Sequence, residues 1–154
     1  MELINSQRIQ ATRDQVWAAL NDPDTIKRCI PGCQSLEQGD DGMLAAVVVL
    51  KIGPVKATFH GKVRFENIEA PAHLTLVGEG SGGIAGHARG SAEVTLQQDG
   101  EATLLSYNAT AQVGGKIAQL GARLIQSTSQ KLAAEFFSQF QKEVVAVSAI
   151  LPIE

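Results

Sequence analysis

The chain has 154 residues, 44% of them hydrophobic and 19% charged, with a net charge of −3. That length supports one domain, read as residues 1–154, with a substantial core. The acidic balance argues against a nucleic-acid footprint, and no apolar run reaches the ~20 residues that span a bilayer. The start, Met1-Glu2-Leu3-Ile4-Asn5, lacks a basic segment followed by an apolar one, so a cytoplasmic location is expected.

Residues 2–11 read as a first strand. Thr12-Arg13-Asp14-Gln15 fits a capping box and opens a short helix carrying Val16, Trp17 and Leu20. Asp22-Pro23 opens a second, because Asp caps well and Pro suits the first helical position. It carries Ile26 and stops before the turn at Pro31-Gly32. Within Cys29-Ile30-Pro31-Gly32-Cys33 the two thiols have a spacing that could ligate half a zinc site. No second pair follows and the three histidines lie far off, so no metal is expected. A redox disulfide and two free thiols are the other readings.

Six more strands follow. A short one surrounds Ser35-Leu36-Glu37, and Gly39-Asp40-Asp41-Gly42 turns it into Met43–Ile52. Gly53-Pro54 leads into Val55–Glu66, whose alternation is nearly strict. Val55, Ala57, Phe59, Gly61, Val63 and Phe65 share one face; Lys56, Thr58, His60, Lys62, Arg64 and Glu66 share the other. Such a strand has one face buried and one in water. Leu74–Ser81 and Ile84–Leu96 come next, the latter with Ile84, Gly86, Ala88 and Gly90 expected inward. Asp99-Gly100 is a hairpin signal before Ala102–Val113. Consecutive strands joined by tight turns give a seven-stranded antiparallel sheet.

From Gly114 to Val147 the composition favours helix formers and the chain has no proline. Ile117, Leu120, Leu124, Ile125, Leu132, Phe136, Phe140 and Val144 recur at helical spacing. Steps of four drift by about 40° around a helix, so these residues cannot all face one sheet. Either a bent helix wraps one core, or Phe136, Phe137 and Phe140 partly line a pocket mouth or a partner surface. Residues 148–154 form a short apolar tail, too short to span a bilayer.

The expected inner face is built from unusually small residues: Ala46, Ala57, Gly61, Gly78, Gly80, Gly86, Ala88, Gly90, Ala92, Ala109 and Ala111. Either the long helix packs tightly into them, or sheet and helix leave room for a ligand. The inner face carries no Asp, Glu, Lys, Arg or His, and Tyr107 is its main polar group. General acid–base catalysis needs titratable groups near the reacting atom, so binding is favoured over catalysis. The candidate cavity residues are Phe59, Gly61, Val63, Leu76, Gly78, Ala88, Gly90, Tyr107, Ala109, Leu120, Leu124 and Phe136. No catalytic or metal-binding residue is assigned, and no cofactor.

The order strand, two short helices, six strands, long helix resembles the α+β START-like helix-grip fold, a curved sheet around a C-terminal helix. Four stretches are similar to the G-subunit family of carbon monoxide dehydrogenase: Val16 to Pro23, Cys29 to Cys33, Gly53 to Val63, and Gly114-Gly115-Lys116-Ile117-Ala118-Gln119-Leu120-Gly121. The resemblance implies a non-enzymatic partner of a molybdenum hydroxylase of the carbon monoxide dehydrogenase type. It further implies binding of a hydrophobic molecule, a quinone or lipid, and a role in membrane attachment or electron transfer to quinone. With so short a tail, a soluble carrier or reversible peripheral contact is expected rather than stable anchoring. The rival expectations are a ligand-free assembly module and a cyclase-like enzyme using Tyr107, Asn108 or Glu79. A homodimer through exposed edges is left open.

Overall fold

Tight turns between alternating segments impose antiparallel pairing. The computed structural model describes residues 1–150, with side chains up to residue 146, and has that arrangement. Its strands are β1 (Glu2–Ile9), β2 (Cys33–Gln38), β3 (Leu44–Ile52), β4 (Val55–Glu69), β5 (His73–Ser81), β6 (His87–Asp99) and β7 (Ala102–Gly114). They form one sheet in the order β1-β7-β6-β5-β4-β3-β2, every neighbouring pair antiparallel. The helices are α1 (Arg13–Leu20), α2 (Pro23–Cys29) and α3 (Ala122–Ile150). The apolar tail at 148–154 lies outside the described side chains.

Local chemistry accounts for the two short helices. The Thr12 hydroxyl accepts the Gln15 N–H, and the Gln15 side chain accepts the Thr12 N–H, closing the capping box on α1. Asp22 caps α2 by accepting the Asp24 N–H, with Pro23 at the first helical position. Both helices lie between β1 and β2 and pack beside the late part of α3. Arg28 and Glu143 bridge α2 to α3 at 3.1 Å.

Several strand ends shift by two or three residues, as β1 ends at Ile9, β4 runs to Glu69 and β6 to Asp99, and two larger differences bear on the site. The long helix begins at Ala122 rather than at Gly114. Gly114 still pairs with His87 in the sheet, Gly115 turns at φ +79°, and Lys116–Leu120 is a 3-10 turn. Gly121 then turns at φ +98° before α3 starts. Two left-handed glycines break the helix where composition alone favoured it. The second difference is at Ile84, expected inward and found 93% exposed, while Ala85 is buried. Gly83–Ala85 forms a 3-10 turn and Gly86 sits at φ +126°, which shifts the alternation by one before β6 begins.

Helix α3 lies across the inner face and is tied to β1 and to the residue just after it. The Gln126 side chain donates to the Glu2 carbonyl at 2.9 Å, and the Gln10 N–H donates to the Gln141 side chain at 3.1 Å. The apolar interior divides into two packed clusters. The larger holds Ile9, Val16, Cys29, Leu74, Val94, Leu96, Leu105, Phe140 and Val144, with Trp17, Phe136 and Phe137 against it. The smaller holds Ile52, Ile117 and Ile125, with Val55, Phe59, Val113 and Leu120 against it.

Candidate functional site

What separates the two clusters follows from the register. Ala46, Gly61, Gly80, Ala88 and Val113 pair in turn across β3, β4, β5, β6 and β7, forming one row of mostly small residues. Above this region α3 presents Thr128, Ser129, Leu132 and Ala133. Small side chains on both layers cannot fill the gap to the density of a normal core. A cavity of about 470 Å³ results. That lies within the ~300–1,000 Å³ range of small-molecule sites.

The lining is almost wholly apolar. Ile30 and Pro31 come from the loop after α2, and Val48, Leu50, Ile52 and Phe59 from β3 and β4. Val113, Ile117, Ile125, Leu132 and Phe136 close the far side, with Met1 and Ala111 at the β1–β7 edge. Phe59 is held in place by Gly82, where an added Cβ would stand 2.6 Å from the ring. Among the described residues the side-chain polar groups on the wall are the hydroxyls of Thr128 and Ser129, and no titratable side chain reaches it. Such a wall can hold an apolar body and hydrogen-bond one polar end. Its described side chains include no carboxylate, imidazole, thiol or amine.

The twelve residues singled out from the sequence take different places. Phe59, Gly61, Ala88 and Phe136 line the cavity. Val63, Leu76 and Ala109 lie on the inner face of the sheet outside it, and Leu76 packs on the larger cluster. Gly78 and Gly90 pair with each other and line a groove of about 730 Å³ with outward-facing Lys62, Arg64, Glu79 and Arg89. A Cβ on Gly90 would collide with the Thr110 carbonyl, so strand packing accounts for that glycine. Tyr107 stacks on Phe137 with ring centroids 5.3 Å apart and hydrogen-bonds Asn5, and burial raises its pKa. Its hydroxyl is therefore not the polar handle of the cavity. Leu120 packs on the smaller cluster, and Leu124 sits where a Cβ on Gly53 would collide.

Sequence reasoning missed Ile30, Pro31, Thr128, Ser129, Leu132 and Ala133. The available signal was Ser127-Thr128-Ser129, three weak helix formers inside a strong helical pattern. The phenylalanines part company, since Phe136 lines the cavity while Phe140 is fully buried in the larger cluster. Cys29 and Cys33 are free thiols, and burial raises both their pKa values. Among the described residues no three His, Cys, Asp or Glu side chains converge as a metal site would require. No described helix is long and apolar enough to cross a membrane.

This architecture has close parallels. A conserved protein from Geobacillus kaustophilus is 31% identical, with a TM-score of 0.89 over 95% of this chain and 96% of its own. A protein from Thermus thermophilus is 17% identical, with a TM-score of 0.71 over 96% and 99%. An aromatase/cyclase from Streptomyces sp. R1128 is 12% identical, with a TM-score of 0.64 over 94% and 93%. At such identities the last two show the fold alone, which is the START-like, polyketide-cyclase-like helix grip. No curated protein matches the sequence. The family model for the carbon monoxide dehydrogenase G subunit (CoxG) matches residues 6–145. With that match spanning nearly the whole fold, the chain belongs to the CoxG family.

Proposed function

We propose that this protein is a non-enzymatic carrier of a quinone- or lipid-like molecule that serves a molybdenum hydroxylase of the carbon monoxide dehydrogenase type. In this role it aids membrane attachment of that enzyme or electron transfer to quinone. The observation that carries the reading is the apolar cavity between Phe59, Gly61, Gly80, Ala88 and α3, with two hydroxyls as its side-chain polar groups. A quinone or lipid matches such a wall, because its apolar body takes the space and an oxygen meets Thr128 or Ser129. The family's name, that of a dehydrogenase component, supports an accessory role.

The test is solvent extraction of the purified protein, before and after incubation with membranes, followed by mass spectrometry. A stoichiometric quinone or lipid is the expected result. Ala133→Leu, which projects into the cavity, should abolish it without unfolding the protein. An extract empty under both conditions, with the folded hydroxylase still captured on an affinity column, overturns the carrier reading in favour of a ligand-free recruitment module.

A further inference from the structure

The antiparallel topology sends the β3–β4 turn, the β5–β6 connection and the link from β7 to α3 to the same end of the sheet. These pieces touch. A Cβ on Gly53 would meet the Leu124 side chain at 2.7 Å, and one on Gly86 would meet Ile117 at 2.8 Å. Residues 51–58, 80–88 and 112–126 contain no Asp or Glu at all. They carry Lys51, Lys56, Lys116 and Arg123, all exposed. The next acids along the sheet are Glu79, opposite Arg89, and Glu2, opposite Thr110. The turns at the other end carry Asp40, Asp41, Glu69, Asp99 and Glu101. A net charge of −3 therefore conceals two ends of opposite sign.

Three features of the basic end work against local stability. Lys51 stands directly opposite Lys56 in the β3–β4 hairpin, a like-charge pair. Arg123 lies in the first turn of α3, where the helix dipole disfavours a cation. Ile84 is 93% exposed in the β5–β6 connection at the same end of the sheet. None of the four cations has an ion-pair or side-chain hydrogen-bond partner among the described residues. Conflicts of this kind, gathered in one place, mark a surface shaped for something other than folding.

The same end holds one wall of the cavity. Lys51 precedes Ile52, Lys116 precedes Ile117, and Arg123 lies two residues before Ile125, and all three isoleucines line the apolar space. We propose that this end, with Lys51, Lys56, Lys116 and Arg123 around exposed Ile84, docks on an anionic lipid bilayer. The inference rests on the carrier reading, for which it names the membrane-facing surface. Unpaired cations meet the headgroups, Ile84 enters the interface, and the cavity is presented to the layer that holds its ligand.

Flotation with vesicles tests this directly, using phosphatidylcholine alone and an equal mixture with phosphatidylglycerol. The protein should float with the anionic vesicles, stay behind with the neutral ones, and release as salt rises. Each cation near an anionic surface changes partitioning by about fivefold, so the double variant Lys51→Glu, Lys56→Glu should lose at least about 25-fold. Ile84→Asp should also weaken flotation, whereas Asp40→Lys at the opposite end should not. Equal flotation with both vesicle types overturns the proposal, as does undiminished flotation of the double variant. So does binding to an acidic soluble protein without any binding to vesicles. Ala133→Leu should float normally, so failure of docking and failure of the carrier reading give different results.

Discussion

A Cβ placed on Gly115 would stand 2.7 Å from the Cα of Gly86, so the two glycines let the end of the sheet and the start of the α3 link cross at backbone distance. Both have positive φ, +79° and +126°. A Cβ on Gly86 would also collide with the Gly114 carbonyl. Gly115→Ala therefore combines a strained backbone with a clash against main chain that cannot step aside. It should cost at least about 2 kcal/mol, read as a lower midpoint in urea denaturation. Gly42→Ala, also at positive φ but with no neighbour within 4 Å, should cost less.

Small residues on the inner face divide by what surrounds them, and substitutions should separate the two kinds. Gly80 has ordinary contacts at 3.8 Å for an added Cβ and faces the cavity, so Gly80→Ala should leave stability almost unchanged. A Cβ on Gly90 would run into the Thr110 carbonyl, so Gly90→Ala should destabilise by about 1–3 kcal/mol while leaving the cavity's lining intact. Thermal melts of the two variants, alongside their extracted ligand content, distinguish cavity glycines from packing glycines. An equal loss of stability in both would contradict the division.

Strand faces were legible in the sequence because period-2 alternation survives any mixture of large and small residues. Burial along β4 alternates from Val55 to Phe65 as the pattern implies. The cavity's position was not legible, because inward orientation does not say how far α3 stands from each row. Phe59 and Val63 share a face of one strand, yet one lines the cavity and the other does not. The helix start was hidden for a related reason. Lys116-Ile117-Ala118-Gln119-Leu120 is helical in composition, but Gly115 and Gly121 both turn at positive φ, the first where it crosses Gly86 at backbone distance. Tyr107 looked like the polar anchor since it is the inward strand residue with a hydroxyl and an aromatic body, but Phe137 occupies its face.

Thr128 and Ser129 give the carrier reading a second, sharper consequence. Thr128→Val keeps the shape of the wall and removes its hydroxyl. Loss of one hydrogen bond is worth about 1 kcal/mol net, so affinity for a short-tailed quinone should fall by about fivefold. A hydrocarbon of the same size should bind as well as before, or better. Titrations of the two probes by displacement of a fluorescent ligand measure the difference. A parallel loss for both probes would mean that Thr128 shapes the cavity rather than bonding its occupant.

Cys29 makes the fold's stability depend on pH in the alkaline range. Its side chain is 2% exposed, between α2 and the larger cluster. Burial first, then the charge of Glu143, pushes the thiol from 9.0 up to about 11, and Arg28 opposes the shift. The native state thus holds a proton that the unfolded chain has already released. Between pH 9.0 and about 11 the stability should fall as pH rises, and above that window this contribution levels off. Cys33 and Tyr107, also raised by burial, act in the same direction. Cys29→Ala should therefore flatten the decline without removing it. Urea denaturation at stepped pH values for both proteins supplies the slopes. An unchanged slope in the variant would show that the thiol stays protonated, or is exposed, in both states.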